Sequence, residues 1–208
     1  AVSDDVDWLR FTADESYLYN ISSSGNVNVT AELYNAAKAK IADCVKSGNN
    51  FSLKYGLTAG ETYYLKITGD RASTTLYTLS FNKVADAVAN EFSDYPNIPQ
   101  LNAASGDNYD EAINYPGDSD IYRIYAAVGG SYFIGTSGGT TTNGVLYGED
   151  YEQIQQDGGT GTNGNFKIMA ELQEGRYYYV RVAHKTDGQT GVYRVHAEPQ
   201  LDVSLVVE

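Results

Sequence analysis

The chain has 208 residues, with 27 Asp and Glu against 14 Lys and Arg, a net charge of −13. That charge opposes a phosphate backbone and excludes a nucleic-acid-binding face; no apolar run approaches the roughly 18 residues of a membrane-spanning helix. One cysteine excludes a disulfide framework, and 21 Gly with 19 Tyr favour strands joined by glycine-rich turns.

In chain order, Asp5-Val6-Asp7-Trp8-Leu9-Arg10-Phe11 opens a strand whose Trp8, Arg10 and Thr12 oppose Leu9, Phe11 and Ala13. The turn signal Ser22–Asn26 and the pair Leu33-Tyr34 follow. Ala36–Lys40 is the one helix-like stretch, and its counterpart later in the chain has no helical apolar stripe, so a turn or strand approach is expected. Cys44 falls before the turn Ser47–Asn50 and reads as a surface thiol rather than a nucleophile. Leu57, Gly60, Tyr63-Tyr64 and Ile67, then Leu76–Leu79, supply two further strands. Residues 85–106 are rich in Ala, Asn, Asp and Pro with weak periodicity, which marks a junction.

Beyond the junction the same landmarks return. Asp118-Ser119-Asp120-Ile121-Tyr122, Leu146-Tyr147 and Ile154 repeat the opening ones at an offset of 113. Leu172, Gly175, Tyr178-Tyr179 and Val182 repeat theirs at 115, and Val192-Tyr193-Arg194-Val195 at 116. An offset that grows only by small loop insertions means two copies of one domain, not a short-period solenoid. The expected division is a first β-sandwich over 1–84, a second over 90–198 and a strand-like tail over 199–208. About 25 residues precede the Asp-x-Asp landmark of the second copy and four precede that of the first. Copy one is thus expected to lack its opening segment, because the fragment begins late or another segment substitutes, which leaves a sheet edge for the tail of its own or a neighbouring molecule to cover.

The order Asp-x-Asp and an alternating strand, Leu-Tyr, a Gly/Asp turn (Asp157-Gly158-Gly159), Leu172-x-x-Gly175-x-Tyr177-Tyr178 and Gly191-x-Tyr193 resembles the bacterial pre-peptidase C-terminal domain. The collagen-binding domains of clostridial collagenases look like relatives. The resemblance runs through the chain twice and implies an all-β fold, two tandem jelly-roll-like β-sandwiches, non-catalytic and attached to a larger secreted or cell-surface protein. It also implies calcium, with ligands carried over to Asp118 and Asp120, to Glu91 or Asp94 upstream, and in the first copy to Asp5 and Asp7.

The residues themselves bear on this chemistry. Calcium takes six to eight oxygens, many from closely spaced carboxylates, and Asp118-x-Asp120 places two on one side of a strand entrance. The plain alternative is an Asp that satisfies turn amides. Acidity is concentrated in the second copy: residues 1–88 carry 10 acids and 8 bases, residues 89–208 carry 17 and 6. A solvated, self-repelling surface accounts for most of it. Both histidines, His184 and His196, fall on strand patterns, and no nucleophile elbow, zinc-protease motif or phosphate loop occurs, so no catalytic residue is assigned. Acid pairs such as Glu149-Asp150 suit a glycosidase but arise in any acidic protein.

Tyrosine is the candidate for binding. Tyr177-Tyr178-Tyr179 and Tyr63-Tyr64 put adjacent rings on opposite sheet faces, so Tyr177, Tyr179, Tyr63 and Tyr64 are expected to offer contact area to an extracellular polysaccharide or a collagen-like protein. Packing within the sheets is the competing role for each ring. The functional expectation is an accessory region that binds an extracellular polymer. The alternative is a structural spacer or secretion domain of a larger hydrolase, with no ligand of its own.

Overall fold

A computed structural model describes residues 5–69, 76–103 and 109–200. Its contacts divide the chain into two compact units, Ala1–Ala85 and Asp86–Glu208. Both are all-β. Among the described residues no helix is long and apolar enough to cross a membrane.

The first unit holds β1 (Asp5–Thr12), β2 (Tyr17–Gly25), β3 (Val29–Tyr34), β4 (Lys40–Asp43), β5 (Val45–Ser47), β6 (Asn50–Leu57), β7 (Thr62–Gly69) and β8 (Tyr77–Lys83). They pair as two sheets, β1-β7-β3-β4 and β5-β6-β2-β8. Period-two alternation aims one side of each strand inward, so Ile21, Val29, Leu33, Phe51, Leu65 and Ile67 fill one core between the sheets. Ala36–Lys40 is a turn rather than a helix, closed by Lys38 N donating to Asn35 O at 2.9 Å.

The second unit holds β9 (Gln100–Leu101), β10 (Tyr109–Ile113), β11 (Ser119–Tyr125), β12 (Gly130–Ser137), β13 (Thr142–Tyr147), β14 (Gln153–Asp157), β15 (Lys167–Leu172), β16 (Tyr177–His184) and β17 (Gly191–Pro199). The sheets run β10-β17-β12-β15 and β14-β13-β16-β11-β9. Counted from β10, the strands pair first-eighth-third-sixth and fifth-fourth-seventh-second, which is jelly-roll connectivity. Among the described residues the first unit has the same order, with the short β5 added at one edge and no strand that corresponds to β10.

Backbone details repeat with the sequence. Gly60 and Gly175 both adopt left-handed φ, 79° and 77°, and donate to Ala13 O and Ala126 O at 2.9 and 2.8 Å. Thr58 N donates to Tyr63 Oη at 3.0 Å, as Gln173 N does to Tyr178 Oη at 2.9 Å. Bulges fall at Leu33/Tyr34 and Leu146/Tyr147, and Lys38 and Tyr151 take matching φ of 60° and 63°. Side-chain packing dictates one position within β13 of the second unit: a Cβ on Gly144 would run into the Phe166 ring, so only glycine fits there.

The units differ at their openings. In the second, residues 86–101 cover the outer side of β11, and Ile121 is buried with Ile98 and Tyr179 against Ala89, Phe92 and Tyr147. Among the described residues nothing equivalent lies beyond β1, and Trp8, the counterpart of Ile121, is 53% exposed. Residues 201–208, most of the expected tail, lie outside the described residues.

Candidate metal centre

Asp118 closes the turn after Gly117, whose φ of 86° belongs to the left-handed region. Its amide donates to Tyr115 O at 3.1 Å, and its Oδ2 accepts from Asn114 N at 2.6 Å. Two residues on, at the start of β11, Asp120 is fully buried; extended chain brings both carboxylates to one side. Asp120 Oδ2 accepts from the Tyr193 hydroxyl of β17, which is bonded at 2.7 Å to the Tyr122 hydroxyl.

The third acid comes from the junction. Asp86 Oδ1 accepts from Val88 N at 3.3 Å and Oδ2 from Asn90 Nδ2 at 2.9 Å. Asn90 Nδ2 also donates to Tyr115 Oη at 3.0 Å. One carboxylate oxygen from each of Asp86, Asp118 and Asp120 lies within 4.8 Å of the others. Asp118 Oδ1, Asp120 Oδ1 and Asn90 Oδ1 are buried and have no hydrogen-bond partner. Buried oxygens in that state cost free energy unless something positive meets them.

The electrostatics agree with the geometry. Burial raises the Asp118 carboxyl above the ordinary carboxylate range, with Asp86 adding to it and hydrogen bonds from Asn114, Ser119 and Tyr115 opposing. Burial pushes Asp120 up to about 8, against the Tyr193 hydrogen bond and with Asp118, Asp86 and Glu111 contributing. The Tyr122 and Tyr193 hydroxyls are raised by burial too, so both stay neutral donors. The donor set is entirely oxygen, the kind that suits a hard divalent cation.

Not every expected ligand joins this group. Glu91 and Asp94 cap each other's ends of the short 3-10 turn Phe92–Asp94, with Glu91 N donating to Asp94 Oδ2 at 3.1 Å, and both are exposed. Asp5 and Asp7 are exposed on β1. Asp7 nonetheless accepts from Tyr77 Oη at 2.7 Å, the counterpart of the Asp120–Tyr193 bond. Asp86 was missed. Its signal lay in the repeat, because at an offset of 116 it corresponds to Asp202.

The tyrosines divide between core and surface. Tyr63 and Tyr179 are buried, which corrects the expectation that they offer open ring faces. The Tyr63 hydroxyl serves the Thr58 amide, and Phe92 and Tyr151 close over Tyr179 at ring separations of 5.8 and 5.0 Å. Tyr64 and Tyr177 are half-buried. Tyr177 sits 5.0 Å from the ring of Tyr125, and the Arg123 guanidinium lies 5.0 Å from Tyr177 and 5.5 Å from Tyr95. A depression of about 430 Å³ adjoins Tyr177, lined by Gly148, Glu149, Asp150, Gln173 and Arg176. The acid pair Glu149-Asp150 is engaged, Glu149 with Arg176 at 3.0 Å and Asp150 with the Glu152 amide at 3.2 Å.

Two further residues have structural surroundings. His184 Nδ1 accepts from Thr186 N at 3.0 Å, and His196 stacks on Phe133 at 5.0 Å. Cys44 is half-buried against the first core rather than on the surface, and burial pushes its thiol up to about 12. No model of a known protein family matches the chain, and no curated protein matches it.

Proposed function

We propose that the chain is a non-catalytic accessory region of a secreted or cell-surface bacterial protein, made of two modules of the pre-peptidase C-terminal type. In the second module a calcium ion held by Asp86, Asp118 and Asp120 clamps the junction segment onto β11. The observation that carries this is the set of unpartnered, buried Oδ1 atoms of Asp118 and Asp120 beside Asp86. Buried like charges repel strongly, and a divalent cation turns that repulsion into attraction. Asn90, whose Nδ2 donates to Asp86 and whose Oδ1 is buried without a partner, supplies a neutral oxygen in this reading. A cation that binds only the folded state raises stability by mass action, about 2.7 kcal/mol at a hundredfold excess over its dissociation constant. Thermal unfolding in chelator, calcium and magnesium tests it. Calcium must shift the transition of the second unit, and Asp118→Asn must remove the shift; no shift with either metal ends the proposal.

The surface ligand in this reading is an extended extracellular polymer, polysaccharide or collagen-like protein. The row Tyr95–Arg123–Tyr177–Tyr125 favours it: Tyr95 and Tyr125 are exposed, the arginine is sandwiched between rings, and a polar depression adjoins. Exposed tyrosines present flat apolar area with a hydrogen-bonding tip, which suits sugar rings and extended peptides. Retention on insoluble cellulose, xylan, chitin or collagen that is lost in Tyr177→Ala supports it. Passage through all four leaves the module as a structural spacer.

A further inference from the structure

We infer that Arg123 receives the carboxylate of a uronic-acid residue, so that the polymer is an acidic polysaccharide whose uronic acids are interspersed with neutral sugars. The inference rests on the polymer reading of the tyrosine row and names the class of polymer. It begins with placement. Arg123 lies between Tyr122 and Ile124, both buried in the core, so alternation turns its side chain to the outer side of β11 together with Tyr125. Its backbone is held from both sides, in register with Tyr179 of β16 and with Gln100 of β9, and its amide donates to Pro99 O at 2.8 Å. The guanidinium is thus presented from inside a sheet rather than from a loop.

What marks this arginine is the absence of an acid. The protein has 27 acidic side chains against 14 basic ones, so most cations find a carboxylate nearby. Arg176 pairs with Glu149 at 3.0 Å and Arg194 with Asp110, while Arg181 Nε donates to the Ser119 hydroxyl at 2.8 Å. Among the described residues Arg123 has no carboxylate partner, and its Nε is buried without a hydrogen bond. A buried N–H in that state carries a desolvation cost that an acceptor removes. The rings of Tyr95 and Tyr177 flank the guanidinium at 5.5 and 5.0 Å. Their π faces meet its charge but do not take up its in-plane N–H donors. Those donors form a rigid fork that matches a planar, bidentate acceptor, the geometry of a carboxylate.

The surroundings favour a sugar polymer over an acidic peptide. Tyr177 also lines the depression of about 430 Å³, whose walls carry Glu149, Asp150 and Gln173. Their oxygens accept from hydroxyl groups and repel a further carboxylate, so the site suits one acid group beside neutral, hydroxylated residues. Tyr125, exposed and 5.0 Å from Tyr177, adds flat area for a sugar ring.

Soluble glucuronoxylan, and the same polymer with its carboxyl groups reduced to hydroxymethyl groups, test the inference by calorimetric titration of the full chain. Reduction leaves the backbone and branching in place and removes the charge. The expected result is binding of the acid form that falls about tenfold or more on reduction of the polymer, and equally in Arg123→Gln. Arg123→Gln should still bind the reduced polymer as the wild type does, which shows that the variant is folded and has lost one contact. Equal affinity of the wild type for the two forms overturns the inference and leaves the polymer reading intact, as does an acid preference that survives Arg123→Gln. Retention on collagen that needs Arg123, with no preference for the acid form of the xylan, assigns the row to a peptide and also overturns it. No binding of either form, together with passage through all the insoluble polymers, is the failure of the polymer reading itself, and the inference falls with it.

Discussion

Asp120→Asn keeps the shape of the side chain and removes its charge. The Tyr193 hydroxyl still finds an oxygen, and the new amide can donate to Asp118 Oδ1, which is buried without a partner. The wild-type carboxyl is raised from 3.8 to about 8, chiefly by burial. Between those values the folded chain holds a proton that the unfolded chain has released. Stability without a cation is therefore full below the lower value and is lost as pH rises through the upper one. At about 1.4 kcal/mol per unit, and with relaxation around the site reducing the ceiling, the amide relieves on the order of 2–5 kcal/mol at pH 8. For a unit of this size each kcal/mol moves the transition by roughly 3–5 °C. In chelator at pH 8 the second unit of Asp120→Asn is expected to melt roughly 6–25 °C above wild type. In excess calcium the wild type rises and the variant stays where it was. Circular dichroism melts under the four conditions decide it. A variant that melts lower than wild type in chelator, or that gains as much from calcium, refutes the reasoning.

Since calcium must displace the protons held at Asp118 and Asp120, both raised by burial, the calcium-induced shift should grow from pH 5.5 to pH 8, and a flat profile by scanning calorimetry contradicts this. Asp86→Ala, at a half-buried position, should remove most of the calcium shift yet lower the melting temperature in chelator by no more than about 1 kcal/mol equivalent. Gly144→Ala forces a methyl into the Phe166 ring and should cost about 1–3 kcal/mol in urea unfolding of the second unit; a neutral result would mean the ring moves freely. With its thiol pushed up to about 12, Cys44 should react with iodoacetamide at pH 8 at least about a hundredfold more slowly in the native chain than in urea.

The all-β class, the duplicated order of landmarks and the inward faces of the strands were legible along the chain. Each of these rests on local periodicity: alternation in Trp8–Ala13 and Tyr177–His184 is visible because one face of a strand meets a core wherever the strand lies. The pair Asp118 and Asp120 was legible for the same reason, being two residues apart on one extended chain. What lies over those faces emerges from the folded chain alone. Tyr179 and Ile121 sit on the outward side of their strands and are buried only because the junction residues 86–101 lie across them. Trp8, at the matching position, stays exposed because no described segment does the same. Asp86 belongs to the acidic cluster through that same crossing, far from Asp118 in sequence and in a stretch without periodicity. Long-range covering of this kind depends on chain reversal and loop closure, and neither leaves a mark on the spacing of side chains along the covered strand.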